Sequence, residues 1–489
     1  MAVASKEQSV VAAVPSSLYI DGQWRDATGG ETLPVEDPST GETLVEVADA
    51  TPDDAQAALG AAAGAQEEFA AMAPRERGEI LRRAYELINE RVDDLALLMT
   101  LEMGKTLTES KQEIAYAADF FHWFAGEATR IEGGYKVAEK APQQRVLVMR
   151  QAVGPCVLIT PWNFPMAMGT RKIGPAVAAG CTMVMKPAKQ TPLTMLALAA
   201  ILEECGLPGG VLNVVTARSS GSIMEPLIRD PRTRKLSFTG STEVGRSLIE
   251  QSAQQVLKVS MELGGNAPFL VFEDADLDAA VEGAMIAKMR NTGEACTAAN
   301  RFHVHEAVAE EFGRRLARRM GAMKVGRGTQ EGVEVGPLID EDQRGKVEEL
   351  TRDAVDRGAR VLTGGERVGE RGYFFEPTVL GDIADDARIL REEVFGPVAP
   401  IKSFASDDDA VVAANATEFG LVAYVYTQNL QRAIGVCERL ETGMVGLNQG
   451  MVSNAGAPFG GVKQSGVGRE GGNEGVDEYL ETKYVAMTL

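Results

Sequence analysis

CVLITPWNFPMAMGTRKIGPAVAAGCTMVMKPAKQTP, residues 156–192, decides the fold class. Two short apolar runs, CVLIT and TMVMK, read as strands, and a helical stretch from about Phe164 to Ala179 lies between them. The alternation continues through a helix from about Thr191 to Cys205, the run VLNVV, another helix and KLSFTG, as far as Gly265. Such strand–helix alternation predicts an α/β domain with a mostly parallel sheet, whose ligand crevice lies beyond the carboxyl ends of the strands. The polar motifs fall at those ends: TPWNFP at 160–165, KPAKQTP at 186–192 and FTGSTEVG at 238–245.

Upstream, 51–130 has helical periodicity, with Thr51 placed as an N-cap, Pro52 in the first turn and Asp53 and Asp54 near the positive end of the dipole. The Gly-Lys-Thr at 104–106 is not a phosphate loop, because the glycine such a loop needs five residues before Gly104 is Met99. Downstream, helical stretches at 306–324 and 341–358 and strands in ARVLTGG and AYVYTQ predict a second α/β unit reaching about Gly446. Residues 131–151 and 470–489 look extended, and predict either an arm that pairs with another subunit or a plain edge hairpin. The first 22 residues make a poor secretory signal and read as a frayed tail.

A chain of 489 residues suggests about three compact units, at roughly 150 residues each. With 49 basic and 70 acidic side chains the net charge is −21, which disfavours nucleic acid and anionic membrane as partners. The longest uncharged stretch, 151–170, is broken by Gly154, Pro155, Pro161, Pro165 and Gly169, so no membrane span is expected. Five cysteines without C-x-x-C spacing suit a reducing cytoplasm and predict neither a disulfide framework nor a metal site.

Two glycine-rich stretches compete as phosphate sites. Gly466, Gly468 and Gly471 spell G-x-G-x-x-G but follow a loop, which marks a decoy. At Gly240–Gly245 a strand ends in glycine and Ser241 is placed to cap a helix whose N–H groups could face a pyrophosphate; the alternative is a structural turn. Of the cysteines, Cys156, Cys181, Cys205 and Cys437 sit in apolar or helical surroundings and read as packing. Cys296 alone lies in a polar loop, NTGEACTAANR at 291–301, expected to be reached by solvent or ligand, and is the candidate nucleophile. Glu294, two residues away, would oppose thiolate formation if ionised nearby.

NTGEACTAANR resembles the active-site cysteine segment of the aldehyde dehydrogenase superfamily, although that family usually has glutamine where this chain has Glu294. TPWNFP, KPAKQTP, FTGSTEVG, MELGGN, EEVFGPV and PFGGVKQSGVGRE stand in the family's order and approximate spacing, so the resemblance covers nearly the whole chain. It implies a Rossmann-like cofactor domain at 1–130 and 152–264, and an α/β catalytic domain at 265–446. A small β oligomerisation arm at 131–151 and 470–489, an active-site and connecting segment at 447–469, and a homodimer or homotetramer complete the implied architecture.

The resemblance also implies roles. Cys296 attacks an aldehyde, Asn163 and the Cys296 N–H stabilise the oxyanion, and Glu262 activates water, its apolar neighbours Met261 and Leu263 raising its pKa. Without the resemblance, Asn163 reads equally as a turn amide and Glu262 as an acceptor for Gly264 and Gly265. Thr160, Trp162, Lys186, Gly240, Ser241, Gly245, Glu393 and Phe395 match cofactor-contacting positions. Lys189 stands where NAD-preferring members often carry glutamate, so NADP is favoured over NAD. Arg171, Arg290 and Ser453 match the positions where succinate-semialdehyde dehydrogenases hold the substrate carboxylate, with glutarate semialdehyde or another aldehyde as the alternative. Glu262 argues against a CoA-acylating enzyme, and Cys296, Asn163 and Glu262 together argue against a non-catalytic structural protein.

Overall fold

In the computed structural model, which describes residues 5–489, the alternation of 156–262 becomes five parallel strands. They lie in the spatial order Lys258–Glu262, Lys235–Thr239, Cys156–Ile159, Met183–Lys186, Leu212–Val214. The chain winds outward from Cys156–Ile159 in one direction and then returns to build on its other side. That reversal opens a crevice at the carboxyl ends of Cys156–Ile159 and Lys235–Thr239. The inner strands are buried on both faces, which is why they read as unbroken apolar runs. Cys156, Leu158, Met183 and Met185 face helices Pro74–Glu90, Leu107–Glu127, Ala167–Ala179 and Leu193–Glu204. Val157, Ile159, Val184, Leu236 and Phe238 face the opposite layer, formed by Pro52–Ala71, Ser220–Ile228 and Thr242–Ser252. Thr51 caps its helix as expected, accepting from the Asp54 N–H.

Three short antiparallel strands finish this sheet: Leu18–Ile20 and Gln23–Arg25 at one edge, Gly466–Val467 at the other. The G-x-G-x-x-G stretch thus supplies an edge strand against Met261 and Glu262. A second sheet of seven strands runs Arg360–Thr363, Thr378–Gly381, Val398–Phe404, Ala299–His305, Ala267–Val271, Val422–Tyr426, Met444–Leu447. Its pairs are parallel except the outermost, Arg360–Thr363 with Thr378–Gly381. Only four residues separate the end of Lys258–Glu262 from the start of Ala267–Val271. The carboxyl edge of the first sheet therefore abuts the amino edge of the second.

Gly134–Ala138, Ala141–Ala152 and Leu480–Thr488 form a separate antiparallel sheet that leaves Tyr135, Val137 and Tyr484 exposed. The extended reading of 470–489 holds only from Leu480. Residues Glu474–Asp477 are helical, because 470–479 docks on the first sheet: Lys258 Nζ donates to the Asp477 and Leu480 carbonyls and the Tyr479 ring is buried. The frayed-tail reading is also corrected for the described residues. Lys6–Ala12 is a helix with a Ser5–Gln8 capping box, and its Glu7 carboxylate pairs with Arg327, which also holds Asp37. Among the described residues no helix is long and apolar enough to cross a membrane.

Helix Leu277–Met289 approaches the second sheet so closely that a Cβ on Gly283 would sit 1.6 Å from Tyr426 Oη. We expect Gly283→Ala to cost about 1–3 kcal/mol through forced displacement of that ring, read as a lower thermal midpoint. An unchanged midpoint would show that the helix shifts freely on the sheet.

Candidate active site

The junction between the sheets builds the site. Glu262 ends its strand, the chain passes through Gly264 and Gly265, and Ala267 then pairs with Ala299, three residues beyond Cys296. A Cβ on Gly265 would lie 2.7 Å from the Cys296 carbonyl oxygen, so only glycine lets the two segments touch. The loop after Cys156–Ile159 closes the third side with Trp162 and Asn163. Together these segments enclose a cavity of about 210 Å³ whose lining includes Cys296, Glu262, Asn163 and Arg171.

The nucleophile loop is not the solvated loop its polarity suggested. Residues 291–295 are buried, and their polar groups bond inward. Asn291 Nδ2 donates to the carbonyls of Asn163 and Glu294, both at 2.9 Å, and Asn163 Nδ2 donates to the Glu294 carbonyl at 3.0 Å. Asn291 and Thr292 take left-handed backbone angles, φ 55° and 56°, which cost energy outside glycine. The Glu294 carboxyl turns away and accepts from the Ile339 N–H at 3.1 Å; burial pushes its pKa well above the usual range, which favours the neutral form. The expectation that Glu294 opposes the Cys296 thiolate therefore fails: the charges acting on Cys296 are Arg171 and Arg290, which favour the thiolate, and Glu262 and Glu393, which oppose it. Burial outweighs all four and pushes the thiol up to about 12.

Glu262 is buried, with Oε2 lacking a hydrogen-bond partner among the described residues. Burial, and then the neighbouring Glu470 carboxylate, raise its pKa well above the usual range. Met261 is not part of the shell around it: successive strand residues face opposite ways, and it packs in the core with Val157 and Leu236, while Leu263 reaches both that core and the cavity wall. The backbone of 460–470 covers Glu262 instead; a Cβ on Gly460 would reach 2.8 Å from Oε1.

Glu470 escaped sequence reading because it lies inside the glycine decoy, where a charged pair, Arg469–Glu470, was the available signal. It accepts from Lys172 Nζ at 2.6 Å and lies 2.6 Å from Arg171 Nη2. Arg171 is almost fully buried, stacks 4.0 Å from the Phe459 ring, and keeps Nε without a hydrogen-bond partner among the described residues. Arg290 lies outside the cavity lining, donates to Ser453 Oγ at 3.1 Å, and sits 4.8 Å over the Phe164 ring. Beside it the buried Tyr116 hydroxyl, also missed, lacks a hydrogen-bond partner among the described residues.

Trp162, Gly240, Ser241, Glu393 and Phe395 line the same cavity. Trp162 and Phe395 meet edge to face at 5.4 Å, and Phe395 has a φ of 53°. Glu393 Oε1 accepts from the Gly265 N–H at 3.2 Å, and burial lifts its carboxyl to about 7. Ser241 caps helix Thr242–Ser252, and Gly245 lets that helix lie against Leu263, which a Cβ would meet at 2.3 Å. Gly245, Thr160 and Lys186 are outside the lining; Lys186 and Thr160 are buried at their strand ends, and burial draws the Lys186 amine down to about 8. Lys189 is exposed and borders a second cavity, of about 270 Å³, with Arg218 and Asp340. Gln343 and Lys346, missed in the sequence, complete the first cavity, and Gln343 Nε2 fixes the Phe395 carbonyl at 2.7 Å.

The sequence profile described as "Aldehyde dehydrogenase family" matches residues 24–485. The chain is 56% identical over 444 residues to a succinate-semialdehyde dehydrogenase of Paenarthrobacter nicotinovorans, covering 91% of this chain and 98% of that one. It is 50% identical to the Escherichia coli K12 NADP(+) succinate-semialdehyde dehydrogenase and 49% identical to a Pseudomonas putida glutarate-semialdehyde dehydrogenase, covering 96% of this chain and 97% of each. A crystal structure of an E. coli NADP-dependent enzyme superposes with a TM-score of 0.96 at 49% identity, over 97% of this chain and 98% of that one. The cysteine, asparagine and glutamate brought together at the meeting of two parallel sheets and the match along almost the whole length agree: the chain belongs to the aldehyde dehydrogenase family.

Proposed function

We propose that this protein oxidises succinate semialdehyde to succinate, with NADP as hydride acceptor, in the cytoplasm. The observation that carries the reading is the convergence of Cys296, Asn163 and Glu262 on one cavity whose wall also holds Arg171, a buried cation with an unused donor. The names borne by the P. nicotinovorans and E. coli relatives support this substrate, and the latter supports NADP. In this reading 1–130 and 152–264 form the cofactor unit, 265–446 the catalytic unit, 447–469 the active-site connection, and 131–151 with 470–489 an arm that pairs with a second copy through the exposed face carrying Tyr135 and Val137.

The cavity's residues fit a dinucleotide: the Thr239 hydroxyl is buried without a hydrogen-bond partner among the described residues, and the capped helix Thr242–Ser252 opens beside it. Gly240, Ser241, Gly245, Thr160, Lys186 and Glu393 would hold it, with Trp162 and Phe395 at the reactive end and Lys189 toward a 2′-phosphate. When bound, it accepts the hydride released from the substrate carbon. The chain supplies the rest. Once the Cys296 thiol has given up its proton to solvent, Sγ bonds to the aldehyde carbon, and the C=O electron pair moves onto the oxygen, whose negative charge faces the Cys296 N–H and the second Asn163 Nδ2 hydrogen, the first being held by Glu294. After oxidation Cys296 carries a thioester. Glu262 takes a proton from water, the hydroxide adds to the carbonyl, and the C–S bond breaks to give carboxylate and free cysteine. An unpartnered Glu262 oxygen, and a pKa raised by burial and by the Glu470 carboxylate, suit a group that takes up a proton from water.

The test is NADP reduction with succinate semialdehyde, with and without CoA, beside glutarate semialdehyde and butanal. CoA-independent reduction that favours succinate semialdehyde is expected; no reduction of NADP or NAD would end the reading. Arg290→Ala should lower kcat/KM for succinate semialdehyde about ten- to hundredfold, through loss of a charged hydrogen bond, and leave butanal within a few fold. Equal losses on both substrates would instead mark Arg290 as a loop support.

Replacing Lys189 with glutamate should shift preference from NADP toward NAD by about 1–3 kcal/mol, since a cation facing a phosphate becomes an anion facing it. Identical ratios of the two specificity constants before and after would remove Lys189 from the site.

A thiol held near 12 is neutral at pH 7, and its thiolate fraction grows tenfold per pH unit below that value. Alkylation of the free enzyme by iodoacetamide should therefore keep climbing from pH 7 to 9.5. A plateau below pH 8.5 would mean that the resting cysteine is already ionised.

A further inference from the structure

We propose that Lys105, paired with Glu113, is a positioning residue for Asn163, fixing the oxyanion donor against the nucleophile loop; this rests on the oxyanion role given to Asn163 above. Lys105 is the lysine of the Gly-Lys-Thr at 104–106, which has no place in phosphate binding here. Its side chain is 1% exposed, and Nζ donates to Glu113 Oε2 at 2.5 Å and to the Asn163 carbonyl at 2.8 Å, lying 4.3 Å from the Phe164 ring centroid. Glu113 Oε1 accepts the N–H groups of Met166 and Ala167, at 3.0 and 3.2 Å. One ion pair thus grips the 163–167 loop at both ends, the carbonyl through the lysine and the amides through the carboxylate.

The same helix grips the nucleophile loop. Glu109 Oε1 accepts the Asn291 N–H at 2.6 Å, and Asn291 Nδ2 donates to the same Asn163 carbonyl that Lys105 holds. The Asn163 carbonyl therefore receives one donor from 105 and one from 291, and its side chain returns a bond to the Glu294 carbonyl. With the backbone held from two directions and one side-chain hydrogen committed, the other hydrogen has a single direction left. Oxyanion stabilisation depends on such a donor being in place before charge develops. Nothing in the arrangement requires Lys105 to touch substrate or cofactor; it acts through Asn163.

A fold role alone would also explain a buried ion pair, so the test separates the two. Lys105→Met with Glu113→Gln removes both charges together and leaves no unpaired carboxylate behind. We expect kcat for aldehyde oxidation to fall tenfold or more. NADP affinity, read by quenching of tryptophan fluorescence, and the iodoacetamide rate at Cys296 should stay within twofold, because alkylation of a thiolate develops no oxyanion. In an Asn163→Ala background, where there is no donor left to position, the same pair of changes should cost less than twofold. Full multiplication of the two losses, or a parallel fall in NADP binding and alkylation, would overturn the proposal while leaving Asn163 as oxyanion donor. An Asn163→Ala enzyme of full activity would overturn both.

Discussion

The geometry of the cavity depends on a steric constraint at the hand-over between the sheets: at 265 the chain has no room for a side chain, and at 264 it has little. Gly265 lies against the Cys296 carbonyl, and Gly264 against the Glu393 carboxylate and the Phe419 ring. These contacts let a strand of one sheet hand over to a strand of the next within four residues. Because the hand-over joins a carboxyl edge to an amino edge, the last residue of one sheet and the loop before a strand of the other come to share a cavity. Asn163 enters from the topological reversal of the first sheet, the point where open parallel sheets leave a crevice. Cys296, Glu262 and Asn163, far apart in sequence, thus meet as a consequence of strand order and of glycine at 264–265.

Burying so much polar chemistry requires partners for the charges. Glu470 answers Arg171 and Lys172, Glu113 answers Lys105, and Lys288 donates to Asn300 behind the nucleophile loop. Where no opposite charge lies close enough to offset burial, the ionised form is disfavoured: the pKa values of Glu294 and Glu262 are pushed up, and burial draws Lys288 down to about 7. A glutamate at 294 is tolerated beside the nucleophile for this reason. Protonated and turned toward the Ile339 N–H, it differs little in shape and charge from an amide.

The α/β class and most helices and strands were legible in residues 51–446, because buried parallel strands and capped amphipathic helices have strong local patterns. Cys296 was legible as the one cysteine outside an apolar or helical setting. What stayed hidden depends on distant packing. Polarity at 291–297 suggested solvent, whereas the loop is buried and Asn291 and the Glu294 carbonyl bond to each other and to Asn163. Apolar flanks of Glu262 suggested its shell, whereas strand alternation turns Met261 away and residues 460–470 do much of the covering. Glu470 and Lys105 were overlooked for a common reason: each sits in a short glycine motif that failed as a nucleotide signature, and a failed motif was set aside together with its charged residue. The helix at Lys6–Ala12 was missed because its support, Arg327, lies about 320 residues away.

The edge strand Gly466–Val467 also bears on how the protein is made. Its partner Met261–Glu262 leaves the ribosome some 200 residues earlier, and Leu480–Thr488 must find Gln144–Ala152 across an even longer span. During synthesis the first sheet waits with an open edge, and Arg171 and Lys172 wait without Glu470. Long-range pairings of this kind fold late and leave unpaired edges exposed to aggregation. The segment that covers Glu262 is thus one of the last to be synthesised, and a nascent chain that already contains Cys296 still lacks the surroundings that shift the Glu262 carboxyl.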